Sequence, residues 1–239
     1  MIEYMAPFSL CIVCSDHITL SSGSNFSTCN RCSQHLIKTG QLCDRCGSPS
    51  CPKGSGNDCT QPWISPAPID SYSSCIYLNQ AGYSILLQWK NKSSFRTNNL
   101  ILDWLRNSKI LKSKRQFDWI VPIPNHPFRL RRMNAPPSVR LSNSASRVTD
   151  SPVLSVFKII NSNSKTAPRT SQRTILEREQ MAPYFKLNPH MGRFLIDKKI
   201  LLIDDVFTTG STARASARML AAFHPKRIDF LSLGIRIKS

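Results

Sequence analysis

Two adjacent carboxylates and a run of hydroxyls stand together in Ile200-Leu-Leu-Ile-Asp-Asp-Val-Phe-Thr-Thr-Gly-Ser-Thr212. Four apolar residues lead into Asp204 and Asp205, and Thr208, Thr209, Gly210, Ser211 and Thr212 follow. That order reads as a buried strand, a tight turn and the start of a helix. At such a turn the N–H groups and the positive end of the helix dipole favour an anion, and the Thr and Ser hydroxyls add donors. Ionised carboxylates only accept hydrogen bonds, so two of them suit neighbouring ribose hydroxyls or a hydrated Mg²⁺. The expected ligand is a sugar phosphate. A Walker A loop is excluded, because no lysine follows the glycine. The blander alternative is a capped helix after a core strand, with two acids facing solvent.

A second chemistry lies near the N-terminus. Cys11-Ile-Val-Cys14, Cys29-Asn-Arg-Cys32 and Cys43-Asp-Arg-Cys46 are CxxC pairs, and Cys51 and Cys59 follow them. One such pair brings two thiolates to about 2.3 Å from a Zn²⁺, and a second completes the tetrahedron. The most economical assignment groups Cys11, Cys14, Cys29 and Cys32 on one zinc, and Cys43, Cys46, Cys51 and Cys59 on a second. Four thiolates leave no open position, so the metal would fold the segment rather than catalyse. His17 and His35 are further candidate ligands, while Cys75 reads as a small core residue.

The chain of 239 residues has room for one α/β core and a small appendage. Its 32 Lys and Arg against 14 Asp and Glu give a formal charge of +18, which attracts polyanions without choosing among them. No apolar run approaches the ~20 residues that span a bilayer, and no secretory signal is evident. The expected location is therefore cytoplasmic, where paired cysteines indicate metal rather than disulfides.

The elements that must position these groups follow from pattern. Residues 1–70 read as a zinc-binding module with a linker at Pro62-Trp-Ile-Ser-Pro-Ala-Pro68, and residues 71–239 as the α/β domain. Strands are expected near 75–78, 119–123, 200–204 and 228–235, and helices near 81–90 and 97–111. Another helix should run from the hydroxyl turn to about Ala222 and stop before His224-Pro225. Lys90, at the end of one helix, could reach a phosphate or simply be solvated. Phe117-Asp-Trp-Ile-Val-Pro-Ile-Pro124 should end in a stiff loop, and Arg129, Arg131 and Arg132 follow it as a fork suited to pyrophosphate. Residues 161–188 are polar and basic with little periodicity. Such an arrangement predicts a mostly parallel sheet flanked by helices, with ligand at the C-terminal ends of the strands.

The apolar run, Asp204-Asp205 and Thr208-Thr-Gly-Ser-Thr212 are similar to the phosphoribosyl pyrophosphate (PRPP) motif of type I phosphoribosyltransferases. The resemblance implies that Asp204 and Asp205 hold the ribose hydroxyls and that Thr208 to Thr212 hold the 5′-phosphate. Together with Asp118-Trp-Ile-Val-Pro-Ile-Pro124, Lys165-Thr-Ala-Pro-Arg-Thr-Ser-Gln172, Arg178 and the cysteine pairs, the chain resembles the ComF family over nearly its whole length. That family looks like a zinc finger joined to a type I phosphoribosyltransferase-like domain, and is associated with competence and DNA uptake. The resemblance implies Mg²⁺ with PRPP, structural Zn²⁺, and a loop carrying Lys165, Arg169, Gln172 and Arg178 that closes on pyrophosphate; an ordinary connection reads equally well there.

Family members usually carry Arg-Gly-Phe-Asn after the proline loop. This chain has Arg132-Met-Asn-Ala-Pro-Pro137, with two prolines where a helix would begin. A glycine usually ends the helix after the hydroxyl turn, where His224-Pro225 stands here. The leading expectation is phosphoribosyl transfer, with Asp204, Asp205, Arg129 and Arg132 at the reaction centre. The rival is a nucleic-acid-binding accessory factor in DNA uptake or processing that binds single-stranded DNA and keeps the fold without turnover. A third reading makes the zinc module a docking surface for a helicase or other DNA-uptake protein.

Overall fold

The computed structural model describes residues 10–18, 27–36, 67–91, 94–113, 116–125, 135–160 and 184–236. Four strands form a parallel sheet: β1 (Ser71–Tyr77), β2 (Trp119–Pro122), β5 (Lys199–Phe207) and β6 (Arg227–Ile235), in the order β1-β6-β5-β2. Alternation along β5 sends Leu201 and Ile203 into one apolar core and Ile200, Leu202 and Phe207 into the other. β6 divides likewise, with Leu231 and Leu233 on the first face and Ile228, Phe230 and Ile235 on the second. Both faces are therefore covered, as a parallel sheet requires.

The first face is covered by α2 (Gln80–Asn91), α3 (Phe95–Asn107), the short α4 (Lys109–Lys112) and α5 (Pro137–Thr149). Each contributes apolar residues at helical spacing: Ile85, Leu86 and Trp89 from α2, Ile101, Trp104 and Leu105 from α3, Leu141 and Ala145 from α5. Side chains tie down the helix starts. Asn79 Oδ1 accepts from the Gly82 N–H at 3.0 Å, and Ser94 Oγ accepts from the Thr97 N–H at 3.2 Å. α6 (Ser211–Ala221) packs on the second face through Ala213, Ala217 and Leu220. A two-stranded antiparallel hairpin, β3 (Phe157–Ile159) with β4 (Phe185–Leu187), contributes Leu187 to that second core.

The structure departs from expectation in several places, among them the helix expected near 97–111, which breaks at Ser108 into α3 and α4, and β5, which runs past Asp204 to Phe207. β1 begins at Ser71, four residues before the first apolar signal, because its hydroxyls find partners on β6. Ser74 Oγ and Ser232 Oγ are 2.6 Å apart, and Ser71 Oγ donates to Asp229. β4 lies within the stretch 161–188 that showed little periodicity, since three residues are too few to make a pattern. The prolines at 136 and 137 do not disturb a helix. Pro137 is the first residue of the 13-residue α5, where a missing N–H costs nothing and the fixed φ suits the helix. His224 takes φ 49°, the left-handed conformation in which a glycine would be expected after α6.

The N-terminal cysteine segments dock on the helices of the first face. Ile12 and Val13 pack against that core, and Leu36 is buried within it. Three polar contacts fix the docking: Gln88 Nε2 donates to Ile12 O, Arg96 Nη2 to Leu10 O at 2.5 Å, and Ser27 Oγ to Arg96 O at 3.3 Å. A fourth, from Asn79 Nδ2 to His35 O, ties the start of α2 to the same segment.

Candidate functional site

β5 carries both acids to the C-terminal end of the sheet before the chain turns. Asp204 is in register with Ser232 of β6, and the strand continues to Phe207. Asp204 Oδ1 accepts from the Asp205 N–H at 2.8 Å, and Asp205 Oδ1 accepts from the Val206 N–H at 3.0 Å. These bonds curl each carboxylate back on the chain and hold it at the strand end. Burial, and then the neighbouring Asp205 charge, push the Asp204 carboxyl well above the ordinary carboxylate range. Asp205 is buried and its Oδ2 forms an ion pair with Lys90 Nζ of α2. Lys90 is thus neither solvated nor held for a ligand alone, which its position at a helix end had not revealed.

The turn after β5 is shaped by Gly210, whose φ of +73° favours a residue without Cβ. A Cβ there would lie 2.7 Å from Phe207 Cζ and 2.9 Å from Arg214 Nη1, so space and torsion both require glycine. Gly210 is the N-cap of α6 and has no side chain to cap it. Thr209 Oγ1 lies 3.1 Å from Ser211 Oγ, and the Ser211 N–H points to Thr209 Oγ1 at 3.4 Å. Arg214, buried beneath the turn, donates from Nη1 to Thr209 O at 2.9 Å. Thr208, Thr209, Ser211 and Thr212 are partly exposed at the turn and the first turn of α6, where a helix has N–H groups without intrahelical partners.

Asn125 and Tyr184 are structural partners of this edge that sequence reasoning missed. Asn125 Oδ1 accepts from the Ser138 N–H at 3.4 Å and from the Ser138 hydroxyl at 2.8 Å, and so takes over the capping that Pro136 cannot give α5. The Tyr184 hydroxyl donates to Pro124 O at 2.6 Å and pins the end of the proline loop to the start of β4. An Asn immediately after Pro-Ile-Pro, 13 residues before a Pro-Ser helix start, is the signal that could have found the first. Arg129, Arg131 and Arg132 lie outside the described residues, as do Lys165, Arg169, Gln172 and Arg178.

The sulfur atoms of Cys11, Cys14, Cys29 and Cys32 all lie within 4.8 Å of one another. Tetrahedral zinc with bonds of about 2.3 Å places its sulfurs about 3.8 Å apart, and Cys14 Sγ and Cys29 Sγ are separated by 3.7 Å. The donor set and its spacing fit a metal such as zinc. Burial pushes the Cys11 thiol up, but backbone N–H groups at Cys29, Cys14 and Val13 outweigh it and bring the thiol down to about 6. Burial and the three neighbouring thiols push Cys32 the other way. A cation at the centre would reverse that penalty by deprotonating the coordinating thiols outright. Among the described residues His17 and His35 stand outside the four-sulfur group. Cys75 is buried in β1, as expected of a core residue, and burial pushes its thiol up to about 12. Cys43, Cys46, Cys51 and Cys59, and the linker residues 62–66, lie outside the described residues.

Two measurements follow from this geometry. Replacing Cys14 and Cys29 together by Ser should lower bound zinc by about one equivalent and reduce the thermal midpoint, because the segment has little apolar core of its own; metal analysis and calorimetry read both, and unchanged zinc content would remove the centre. For Asp204, a carboxyl held above its ordinary range takes up its proton more readily in the folded chain, so stability falls as pH rises through that interval. Asp204→Asn should therefore raise the thermal midpoint at pH 7, with the gain vanishing as pH falls to about 4. A midpoint that drops at pH 7 would contradict the burial argument.

No curated protein sequence matches the chain. Among solved structures it is similar to an allosteric regulatory enzyme of purine biosynthesis, with 14% identity, a TM-score of 0.37 and coverage of 59% of this chain and 25% of that one. It is also similar to a glutamine PRPP amidotransferase from B. subtilis, solved with ADP and GMP, at 15% identity and TM-score 0.38, covering 56% and 25%. A purine phosphoribosyltransferase from Pyrococcus horikoshii aligns at 20% identity and TM-score 0.34, covering 57% and 71%. The chain spans about a quarter of the length of the first two. The fold is type I phosphoribosyltransferase-like, a mostly parallel sheet flanked by helices, with four N-terminal cysteines close enough to bind a metal. Residues 137–234, from the start of α5 almost to the end of β6, match the family model described as the phosphoribosyl transferase domain.

Proposed function

We propose that the chain binds Mg²⁺–PRPP and transfers its phosphoribosyl group to a nitrogen acceptor. The observation that carries this reading is the succession of Asp204, Asp205, the Gly210 turn and the first turn of α6 within the matched domain. The acids accept the ribose hydroxyls, directly or through a hydrated Mg²⁺, while Thr208, Thr209, Gly210, Ser211 and Thr212 surround the 5′-phosphate. The bond from the anomeric carbon to pyrophosphate breaks, the acceptor nitrogen forms the new bond, and its proton is lost. Arg129, Arg131 and Arg132, with Lys165, Arg169, Gln172 and Arg178, neutralise the departing pyrophosphate. Residues 1–70 form the metal-binding module and residues 71–239 the transferase-like domain.

Calorimetric titration of Mg²⁺ and PRPP into the zinc-loaded protein tests the reading. Wild type should bind one equivalent, and Asp204→Asn with Asp205→Asn should abolish binding while leaving the thermal transition cooperative. Retained affinity in the double variant would overturn the assignment.

The formal charge of +18 favours a second reading, an accessory factor for nucleic acid in the manner of the ComF-like resemblance. It expects sub-micromolar binding to single-stranded DNA that weakens steeply with salt. Weak binding at about 0.15 M salt, measured by fluorescence anisotropy, would leave the transferase reading alone. No helix among the described residues is long and apolar enough to cross a membrane.

A further inference from the structure

Both oxygens of Asp205 are engaged before any ligand arrives: Oδ1 accepts from the Val206 N–H at 3.0 Å, and Oδ2 faces the Lys90 ammonium. The pair is shielded, with side-chain exposures of 13% for Lys90 and 8% for Asp205. A carboxylate in this state offers a ribose hydroxyl or a hydrated metal little unless its bond to Lys90 loosens. An ammonium released in so shielded a place is costly unless it meets another anion. The ion pair therefore sets a condition on the ligand, which must supply donors for Asp205 and an anion for Lys90 at once.

The position of Lys90 is not adjustable by a swing of the helix. Its predecessor Trp89 is fully buried, donates from Nε1 to Asn98 Oδ1 at 3.1 Å, and carries the Arg140 guanidinium over its ring at 4.4 Å. One residue earlier, Gln88 Nε2 donates to Ile12 O beside the cysteine centre. Three consecutive residues of α2 thus fix it to the metal module, to α3 and α5, and to the acid pair. What can move is the side chain of Lys90 beyond its stem.

We infer that Lys90 is a specificity residue for sugar pyrophosphates: on binding, Asp205 passes from the ammonium to the ligand's hydroxyls or metal, and Lys90 passes to a pyrophosphate oxygen. The assignment rests on the sugar-phosphate reading of the site and adds to it a reason to prefer PRPP over ribose 5-phosphate. Ribose 5-phosphate brings the hydroxyls and an anion for the α6 turn, but none for Lys90. No covalent step is involved, only an exchange of ion-pair partners.

The test compares Mg²⁺–PRPP, ribose 5-phosphate and pyrophosphate on wild type, Lys90→Met and Lys90→Arg by calorimetry. Lys90→Met should weaken PRPP about tenfold or more, as expected for a lost charge-assisted contact, and leave ribose 5-phosphate within about threefold. Lys90→Arg should restore part of the loss. If PRPP and ribose 5-phosphate weaken together, Lys90 only holds Asp205 in place and the inference falls; it falls equally if PRPP binding is unchanged. Should Lys90→Met fail to fold because Asp205 is left unpaired, Asp205→Asn and the Lys90→Met, Asp205→Asn double variant replace it, with pyrophosphate as probe. Asp205→Asn releases the ammonium and should bind pyrophosphate more tightly than wild type, and the double variant should lose that gain; equal affinities overturn the inference. Wild type that binds none of the three ligands overturns the sugar-phosphate reading itself, whereas PRPP binding insensitive to residue 90 overturns only the assignment of Lys90.

Discussion

A parallel sheet whose central strands are buried on both faces has one place for polar chemistry, the ends of its strands. β5 and β6 are apolar on both sides along most of their length, so a charge in mid-strand would have neither water nor a partner. Asp204 and Asp205 sit near the end of β5, just before the chain turns, and Lys90 of the covering helix α2 meets Asp205 there. The same rule holds at the opposite end of β6, where Asp229 is fully buried but receives two bonds from Arg227 and one from Ser71. The two acidic places differ in what satisfies them. Asp229 has a complete set of donors, whereas Asp204 is burdened by burial and by its neighbour's charge.

That contrast separates a carboxylate fully paired within the sheet from one whose charge the fold leaves uncompensated. The turn after β5 is held differently, because Gly210 at the N-cap of α6 has no side chain and the hydroxyls of Thr209 and Ser211 meet beside it. Arg214 supports the turn from below through a backbone carbonyl. The polar groups of this edge are thus tied to one another and to the turn's backbone while remaining partly exposed.

The sequence was legible where residue type and spacing act together. Long apolar runs announced β5 and β6, helical spacing announced α2 and α3, and the glycine amid hydroxyls announced the turn after β5. The CxxC spacing likewise anticipated a four-sulfur cluster. Legibility failed where partners lie far along the chain. The serines of β1 look unlike a strand until their mates on β6 are known, 158 residues away. Nothing local says that Lys90 faces Asp205, since a lysine near a helix C-terminus is satisfied by solvent and by the helix dipole alone. The Pro136-Pro137 pair reads as an interruption by resemblance and as an ordinary helix start by backbone physics, and the structure follows the physics.

Leu36 belongs to the same apolar core as Ile85, Trp104 and Leu231, although it follows the fourth cysteine of the N-terminal cluster. The core is therefore closed only when the cysteine segment is in place. A recombinant fragment beginning at Ser71 would keep the whole sheet and every residue of the acid pair and turn. It would also bare an oily face of α2 and α3 to water, and a fragment of that kind tends to self-associate, so the natural unit for handling this protein is the chain with its cysteine-bearing end attached.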